Sequence, residues 1–240
     1  MKPEFRNALR TGKRAMQGKL RALTEALGIE RYSKPGLFGL DNKLSRYLDF
    51  RGGFFVECGA NDGFRQSNTY YLERFRDWTG ILIEPVPELY ERCRRLRRTS
   101  TCVQAALVGP EYPSPQIEIT YAGLMSVVDG AFSNDQRARE HVEEGLRIQG
   151  ISDYRTVVPA FTLSRLLNEL SVSRPIDFFS LDVEGYEEAV LRGLDLARHT
   201  PRFILVEARD PIAITAMLTP RYELVDQLTH HDYLFARTSA

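Results

Sequence analysis

Residues 54–63 read Phe54-Phe55-Val56-Glu57-Cys58-Gly59-Ala60-Asn61-Asp62-Gly63. The run FFVEC is short, apolar and closed by a glycine-rich turn, which is the pattern of a buried strand entering a loop. An acid at the strand end, followed by Gly59 and Gly63, describes a loop whose backbone can approach a ligand closely. Three residues separate these glycines, so the G-x-G-x-x-G spacing that seats a pyrophosphate on a helix N-terminus is missing, and a nucleoside ligand fits better. Glycine turns after strands also arise for purely steric reasons, so the loop takes its meaning from the segments downstream of it.

In those segments helix-type and strand-type patterns alternate: TYYLERF, GILIE, PELYERCRRL, TCVQAALV, IDFFSLD, YEEAVLRGL and FILVE. This alternation predicts an α/β, Rossmann-like fold, a mostly parallel sheet with helices on both faces. The closing YELVDQLTHHDYLFAR reads as two strands joined by a tight polar turn, giving a C-terminal antiparallel hairpin. Between 109 and 159 the pattern is irregular, with one charged helix around Asp135 to Ile148, and reads as an insertion over the active site. No internal repeat is present.

Upstream of Arg51 the character changes. Phe5, Leu9, Met16, Leu20, Leu23 and Leu27 recur at helical spacing, softly interrupted at Gly12 and Gly18 and stopped at Gly28. The first 21 residues carry seven basic side chains, Lys2, Arg6, Arg10, Lys13, Arg14, Lys19 and Arg21, against Glu4 alone. SKPGLFG (33–39) is a linker before a short helix near Asn42 to Leu48. The organisation is thus a basic amphipathic helix and linker over 1–50 and a catalytic domain over 51–240. The apolar helix face has two uses: peripheral contact of residues 1–28 with an anionic membrane surface, or packing on the catalytic domain or a second subunit as a homodimer.

Composition limits the partners. With 240 residues and 43% hydrophobic content, one well-buried domain is expected. Lysine plus arginine equals aspartate plus glutamate at 32 each, which leaves no global field for nucleic acid. The odd cysteines Cys58, Cys93 and Cys102 follow neither a metal-ligand nor a disulfide spacing and point to a reducing compartment. No signal peptide or spanning run is read, so the expected location is cytoplasmic, peripheral at the inner membrane face.

The strand ends carry the candidate chemistry. Ile83-Glu84-Pro85 places a carboxylate where it can accept both hydroxyls of a ribose. Gln104-Ala105-Ala106 leaves room for a flat adenine ring, with Gln104 able to bond an amino group. Leu181-Asp182-Val183-Glu184-Gly185-Tyr186 puts two carboxylates outside a strand end, where open sheets hold ligands, although Asp182 could equally cap the next helix.

Together, the acid-x-G-A-N-x-G loop, the strand ending in E-P and the D-V-E-G-Y-E run resemble the FkbM methyltransferases, from about Gly53 to Arg237. TLSRLLNEL from Thr162 is similar to the segment preceding the fourth strand of that family. The resemblance implies a class I methyltransferase fold and S-adenosylmethionine as cofactor, held by Glu57, Gly59, Ala60, Asn61, Gly63, Ser67, Asn68, Glu84, Gln104, Ala105 and Asp182. Ser67-Asn68-Thr69 looks like a variant of the family's pocket, and Cys58 stands where a branched aliphatic is usual, a change of packing rather than chemistry.

The implied reaction is methyl transfer to a hydroxyl, on a sugar in a glycolipid or polysaccharide, with a polyketide or other small natural product as the alternative. Such a transfer needs a base near the methyl group. Asp182, Glu184 and His231 are the catalytic candidates, with His230 in the same turn and His141 on the insertion. Tyr112, Tyr121, Phe132 and Tyr154 are available to stack on a sugar ring. A divalent metal on Asp182, Glu207 and Asp210 is a second route to an acidified hydroxyl, but carboxylates at strand tips are equally explained by helix capping, and no metal is predicted. A nicotinamide-dependent oxidoreductase would share the sheet and the ribose acid, but the third glycine is missing; a non-catalytic scaffold would not need intact cofactor motifs.

Overall fold

The computed structural model describes residues 3–121, 127–128 and 154–238. Helix α1 (Pro3–Ala26) and a short α2 (Leu40–Leu44) precede a sheet built from β1 (Phe54–Cys58), β2 (Thr79–Ile83), β3 (Thr101–Val103), β8 (Phe178–Leu181), β9 (Phe203–Glu207), β10 (Tyr222–Gln227) and β11 (Asp232–Arg237). Its order is β10-β11-β9-β8-β1-β2-β3. Strands β3, β2, β1, β8 and β9 run parallel, and β11 and β10 return antiparallel as the closing hairpin. Register brings the strand ends level: Cys58 lies opposite both Ile83 and Leu181, so the residues just beyond them emerge together at one edge.

Alternation along each strand feeds two cores. Val56, Cys58, Ile81 and Phe179 face one side and pack on α5 (Leu163–Glu169), α6 (Glu187–Arg192) and α7 (Pro211–Leu218) through Leu163, Leu166, Val190, Leu191 and Ile214. Phe55, Leu82, Phe178 and Leu205 face the other, with Leu40 and Leu44 of α2 and Tyr71 and Leu72 of α3 (Tyr70–Phe75). Strand β1 is buried along its whole length, as a central parallel strand must be.

The TCVQAALV run divides. Its first part is β3, whereas Ala106–Leu107 forms β4, which leaves the main sheet to pair in parallel with β7 (Tyr154–Phe161). Together with β5 (Gln116–Tyr121) and β6 (Val127–Val128) this makes a second sheet, ordered β4-β7-β5-β6. The irregular-looking 109–159 stretch thus contributes strands at its margins, filled by Ile117, Ile119, Val158 and Ala160 over Val86 and Leu89. The charged helix expected around Asp135 to Ile148 lies outside the described residues.

Helix α1 runs unbroken through Gly12 and Gly18, and the chain turns at Gly28, whose φ of +74° suits a residue without a Cβ. It meets the body through its polar side. Glu25 accepts from Tyr70 Oη and Ser33 Oγ, each at 2.7 Å, and pairs with Arg74 at 2.9 Å. The Arg21 guanidinium lies 3.7 Å over the Phe64 ring. The apolar stripe instead faces outward, with Met16, Leu20, Leu23 and Leu27 exposed at 67%, 44%, 61% and 68%. Among the described residues, no helix is long and apolar enough to cross a membrane.

The loop after β1 is held from below by a buried charge network. Glu57 and Arg97, which are 3% and 1% exposed, lie 3.7 Å apart. Glu57 accepts from Ser67 Oγ, Thr69 Oγ1 and the Asn68 amide. Arg97, just past α4 (Pro87–Leu96), donates to Glu73, the Gly63 carbonyl, Ser67 and Thr69. Its fixed fork of donors suits this set of acceptors, which a lysine cannot serve together. Replacing Arg97 by Met leaves two carboxylates buried without their counter-charge, an expected loss of about 3–5 kcal/mol. At roughly 2–4 °C per kcal/mol for a chain of this size, the melting midpoint should fall by about 6 °C or more, with Arg97→Lys intermediate. A midpoint unchanged in Arg97→Met by calorimetry would show the network to be dispensable.

Candidate active site

A cleft opens at the carboxyl ends of β1, β2 and β8, where the parallel strands feed loops to either side. Gly59 starts the first loop at φ +84°, and a Cβ there would sit 1.8 Å from the Asp182 carbonyl oxygen. The loops after β1 and β8 are therefore in backbone contact, which only glycine permits. Asn61 comes next in the turn at φ +50°, a left-handed conformation that asparagine tolerates better than most residues.

Glu84 stands one residue past β2, 5% exposed. Its Oε2 accepts from the Asn61 amide at 2.7 Å and its Oε1 from the Val86 amide at 2.9 Å. These bonds aim the carboxylate across the loop and leave a lone pair on each oxygen, which suits a ribose diol. Burial raises the Glu84 carboxyl to about 7, against the pull of its two amide donors. Beside it, Val86, Leu89, Ala105 and Ala106 give the cleft an apolar side, of the kind a purine packs against.

On the other side of Gly59, Asn68 donates from Nδ2 to Ser180 Oγ at 3.0 Å, while its buried Oδ1 has no partner among the described residues. An orphaned acceptor lining a cleft is a group waiting for a donor, and the α-ammonium of a methionine moiety provides one. A carboxylate with free lone pairs, an apolar side and an orphaned amide oxygen therefore surround one cleft, a set that S-adenosylmethionine fits.

The far wall is acidic. Asp182 and Glu184 line the cleft, and Glu184 sits at φ +56°, a strained backbone of the kind found at working sites. Asp182 does not cap α6: that helix has no side-chain cap, and the Val183 and Gly185 amides donate to Glu187 instead. The Asp182 side chain neighbours that of Glu207 at the end of β9. Burial, then the neighbouring Glu207 charge, raises the Asp182 carboxyl well above the usual carboxylate range, and burial raises Glu207 too. Each ionised carboxyl disfavours ionisation of the other.

Behind Glu207 lies His231, whose Nε2 is 3.7 Å from Glu207 Oε1 and 3.4 Å from Asp232 Oδ2. His230 and His231 both meet the ring of Phe38 edge-on. Ligand atoms of Glu207, His231 and Asp232 all fall within 4.8 Å of one another, a donor set that suits a divalent cation. Asp210 is not part of it, because its Oδ1 caps α7 by accepting from the Ile212 and Ala213 amides.

Of the residues singled out in the sequence, Glu57, Gly59, Asn61, Asn68, Glu84, Ala105, Asp182 and Glu184 line the cleft. Ala60, Gly63, Ser67, Gln104 and His231 are not among its lining residues. Ala60 packs into the core beside α3, Gly63 rests on Cys93 and Arg97, and Ser67 belongs to the network beneath. Gln104 sits where the chain bends from β3 to β4, between the two sheets. Tyr112 donates to the Gln116 carbonyl, and Phe132 and His141 lie outside the described residues. Sequence reading did not find Arg97, which belongs to no local motif; it brought Asp182 and Glu207 together only as metal ligands with Asp210, whereas the possible ligand group in the structure is Glu207, His231 and Asp232.

The FkbM methyltransferase domain matches residues 57–235. No curated protein matches the chain in sequence. Among solved structures, it is similar to a methyltransferase from Geobacter sulfurreducens at 12% identity, covering 92% of this chain and 87% of that one with a TM-score of 0.45. It is also similar to precorrin-6y C5,15-methyltransferase from Geobacter metallireducens GS-15, at 13% identity, 83% and 88% coverage and a TM-score of 0.42. A third is 1,6-didemethyltoxoflavin-N1-methyltransferase from Burkholderia thailandensis, at 12% identity, 98% and 90% coverage and a TM-score of 0.39. With its matching region running from the acid of β1 to the closing hairpin, the chain belongs to the FkbM methyltransferase family and uses S-adenosylmethionine as its methyl donor.

Proposed function

We propose that the protein is an O-methyltransferase acting on a hydroxyl of a sugar, in a glycolipid or a polysaccharide. The observation that carries this reading is the pair of neighbouring carboxyls, Asp182 in the cleft wall and Glu207 behind it, backed by His231. Bound in the cleft, S-adenosylmethionine supplies an electrophilic methyl group on a sulfonium centre. The acceptor oxygen then bonds to that carbon as the carbon–sulfur bond breaks, the bonding pair stays with sulfur, and the hydroxyl proton has to leave.

The protein's part is alignment and proton removal. Asp182 faces the cleft and takes the proton from the acceptor hydroxyl, and Glu207 and His231 offer it a path outward. Glu184 adds a further acceptor beside them. An acceptor-rich wall suits a polyhydroxylated substrate, which presents several donors at once, better than the isolated hydroxyl of a polyketide. The outward apolar stripe of α1, with Lys13 and Lys19 on the same helix, supports peripheral attachment of residues 1–28 to an anionic surface, the site of a glycolipid acceptor. It serves equally well as a homodimer contact.

Asp182→Asn keeps the shape but removes the base. Turnover at saturating cofactor should fall by roughly 10²–10⁴-fold, while affinity for S-adenosylhomocysteine changes by less than about tenfold, about 1.4 kcal/mol. The opposite pattern, lost binding with normal turnover, would give Asp182 a cofactor-positioning role.

Glu207→Gln removes the like charge beside Asp182, so the Asp182 carboxyl ionises at lower pH. Because the ionised form is the base, turnover rises with pH in both proteins, and the acid limb of the variant should lie at lower pH. An acid limb that stays in place, or moves to higher pH, would separate Glu207 from the proton path.

Glu84 yields a pH dependence of its own. With its carboxyl raised to about 7, the free protein carries a proton there between the ordinary glutamate range and neutrality. The ribose hydroxyls donate best to the ionised form, so binding expels that proton. Affinity for S-adenosylhomocysteine should therefore rise with pH up to about 7 and then level off. Calorimetric titrations in buffers of different ionisation enthalpy would read the released proton directly, and Glu84→Gln should abolish the release and bind at least about tenfold more weakly.

A further inference from the structure

A second cavity, of about 620 Å³, lies between α1 and the loop after β1. Arg21 of α1, Arg65 of that loop and Arg92 of α4 converge on it from three elements, and Leu20, Phe64 and Leu96 supply apolar wall. Asp62 is the acid at its edge, and its Oδ1 is already engaged by the Phe64 and Arg65 amides. Arg21 lies 3.7 Å over the Phe64 ring and is paired through Nε with Glu25 at 3.6 Å. Three arginines lining one hollow match a phosphate or diphosphate, whose oxygens accept from several forks at once.

Two further features define the rest of the ligand. Leu20 lines the cavity and also belongs to the exposed stripe continued by Leu23 and Leu27, so an apolar chain leaving the cavity finds a surface along α1. Arg65 lines both this cavity and the cofactor cleft, making it the wall between them. We propose that the cavity binds a phosphate or diphosphate ester carrying an apolar chain, with the phosphate on Arg21, Arg65 and Arg92 and the chain along α1. This deepens the methyl-transfer reading and rests on it in one respect: the site would anchor a lipid-linked sugar whose hydroxyl enters the adjoining cleft.

The test uses the full-length protein with farnesyl diphosphate, farnesol and inorganic pyrophosphate as probes in calorimetric titrations. Farnesyl diphosphate should bind at least tenfold more tightly than either of the others. Arg92→Ala, on an exposed side chain, should weaken it at least fivefold, and Arg21→Ala with Arg92→Ala at least twentyfold. Neither variant touches the cofactor cleft, so S-adenosylhomocysteine should bind within twofold of the parent, which also certifies the fold. Failure of S-adenosylhomocysteine to bind the parent protein would count against the cleft assignment, whatever farnesyl diphosphate does.

Sedimentation with phosphatidylglycerol and phosphatidylcholine vesicles separates the two sources of such a ligand. Binding to phosphatidylglycerol that farnesyl diphosphate displaces identifies a bilayer lipid. Tight farnesyl diphosphate binding without vesicle binding identifies a single lipid-linked molecule, and both outcomes support the site. Pyrophosphate binding as tightly as farnesyl diphosphate, an affinity unmoved in the double variant, or no farnesyl diphosphate binding overturns the proposal.

Discussion

Burying Arg97 against Glu57 is the constraint on which the working half of the molecule rests. An arginine and a carboxylate both lie below 4% exposure under the loop that must shape the cofactor cleft. Such a pair is a weak indicator of stability in itself, since desolvation offsets much of the attraction. Its value is geometric. Apart from the bond to Glu73, its hydrogen bonds fix points on the 63–69 loop, from the Gly63 carbonyl to the Thr69 hydroxyl. The loop therefore has one low-energy path, and that path sets Asn61 and Asn68 facing the cleft.

A similar constraint governs the acidic wall. Asp182 and Glu207 come from neighbouring parallel strands whose register is set deep in the sheet, where Leu181 lies opposite Val206. Their proximity is therefore a property of the sheet, not of a flexible loop. Buried carboxyls so placed favour their neutral forms, and a cation beside them, whether a sulfonium or a metal, reverses that preference. The wall is tuned to respond to charge arriving in the cleft.

How much of this could be read from the sequence depends on the range of each interaction. The FFVEC strand, the glycine loop, Glu84-Pro85 and the closing hairpin are local patterns, and the parallel sheet with its antiparallel edge appears where the alternation puts it. Placement of Glu84 and Asp182 at one edge was legible because open sheets gather strand ends. The inward polar face of α1 was not, because it depends on Tyr70 and Arg74, with Tyr70 45 positions along the chain from Glu25. Nor was the break between β3 and β4, since nothing in TCVQAALV announces that Ala106 and Leu107 pair with a strand beginning at Tyr154. Cys93 and Cys102, whose spacing suggested nothing, bring their thiols to 3.6 Å across α4 and β3. Asp210 shows the reverse case, where the capping role weighed in the sequence is the one the structure displays.

The contact between Gly59 and the Asp182 carbonyl has a kinetic meaning. With no room for even a methyl group between the two backbones, the loop that begins at Gly59 and the loop that carries Asp182 cannot shift independently. Settling the first presets the second. Any movement that admits or releases a ligand at one loop is carried through the main chain to the other.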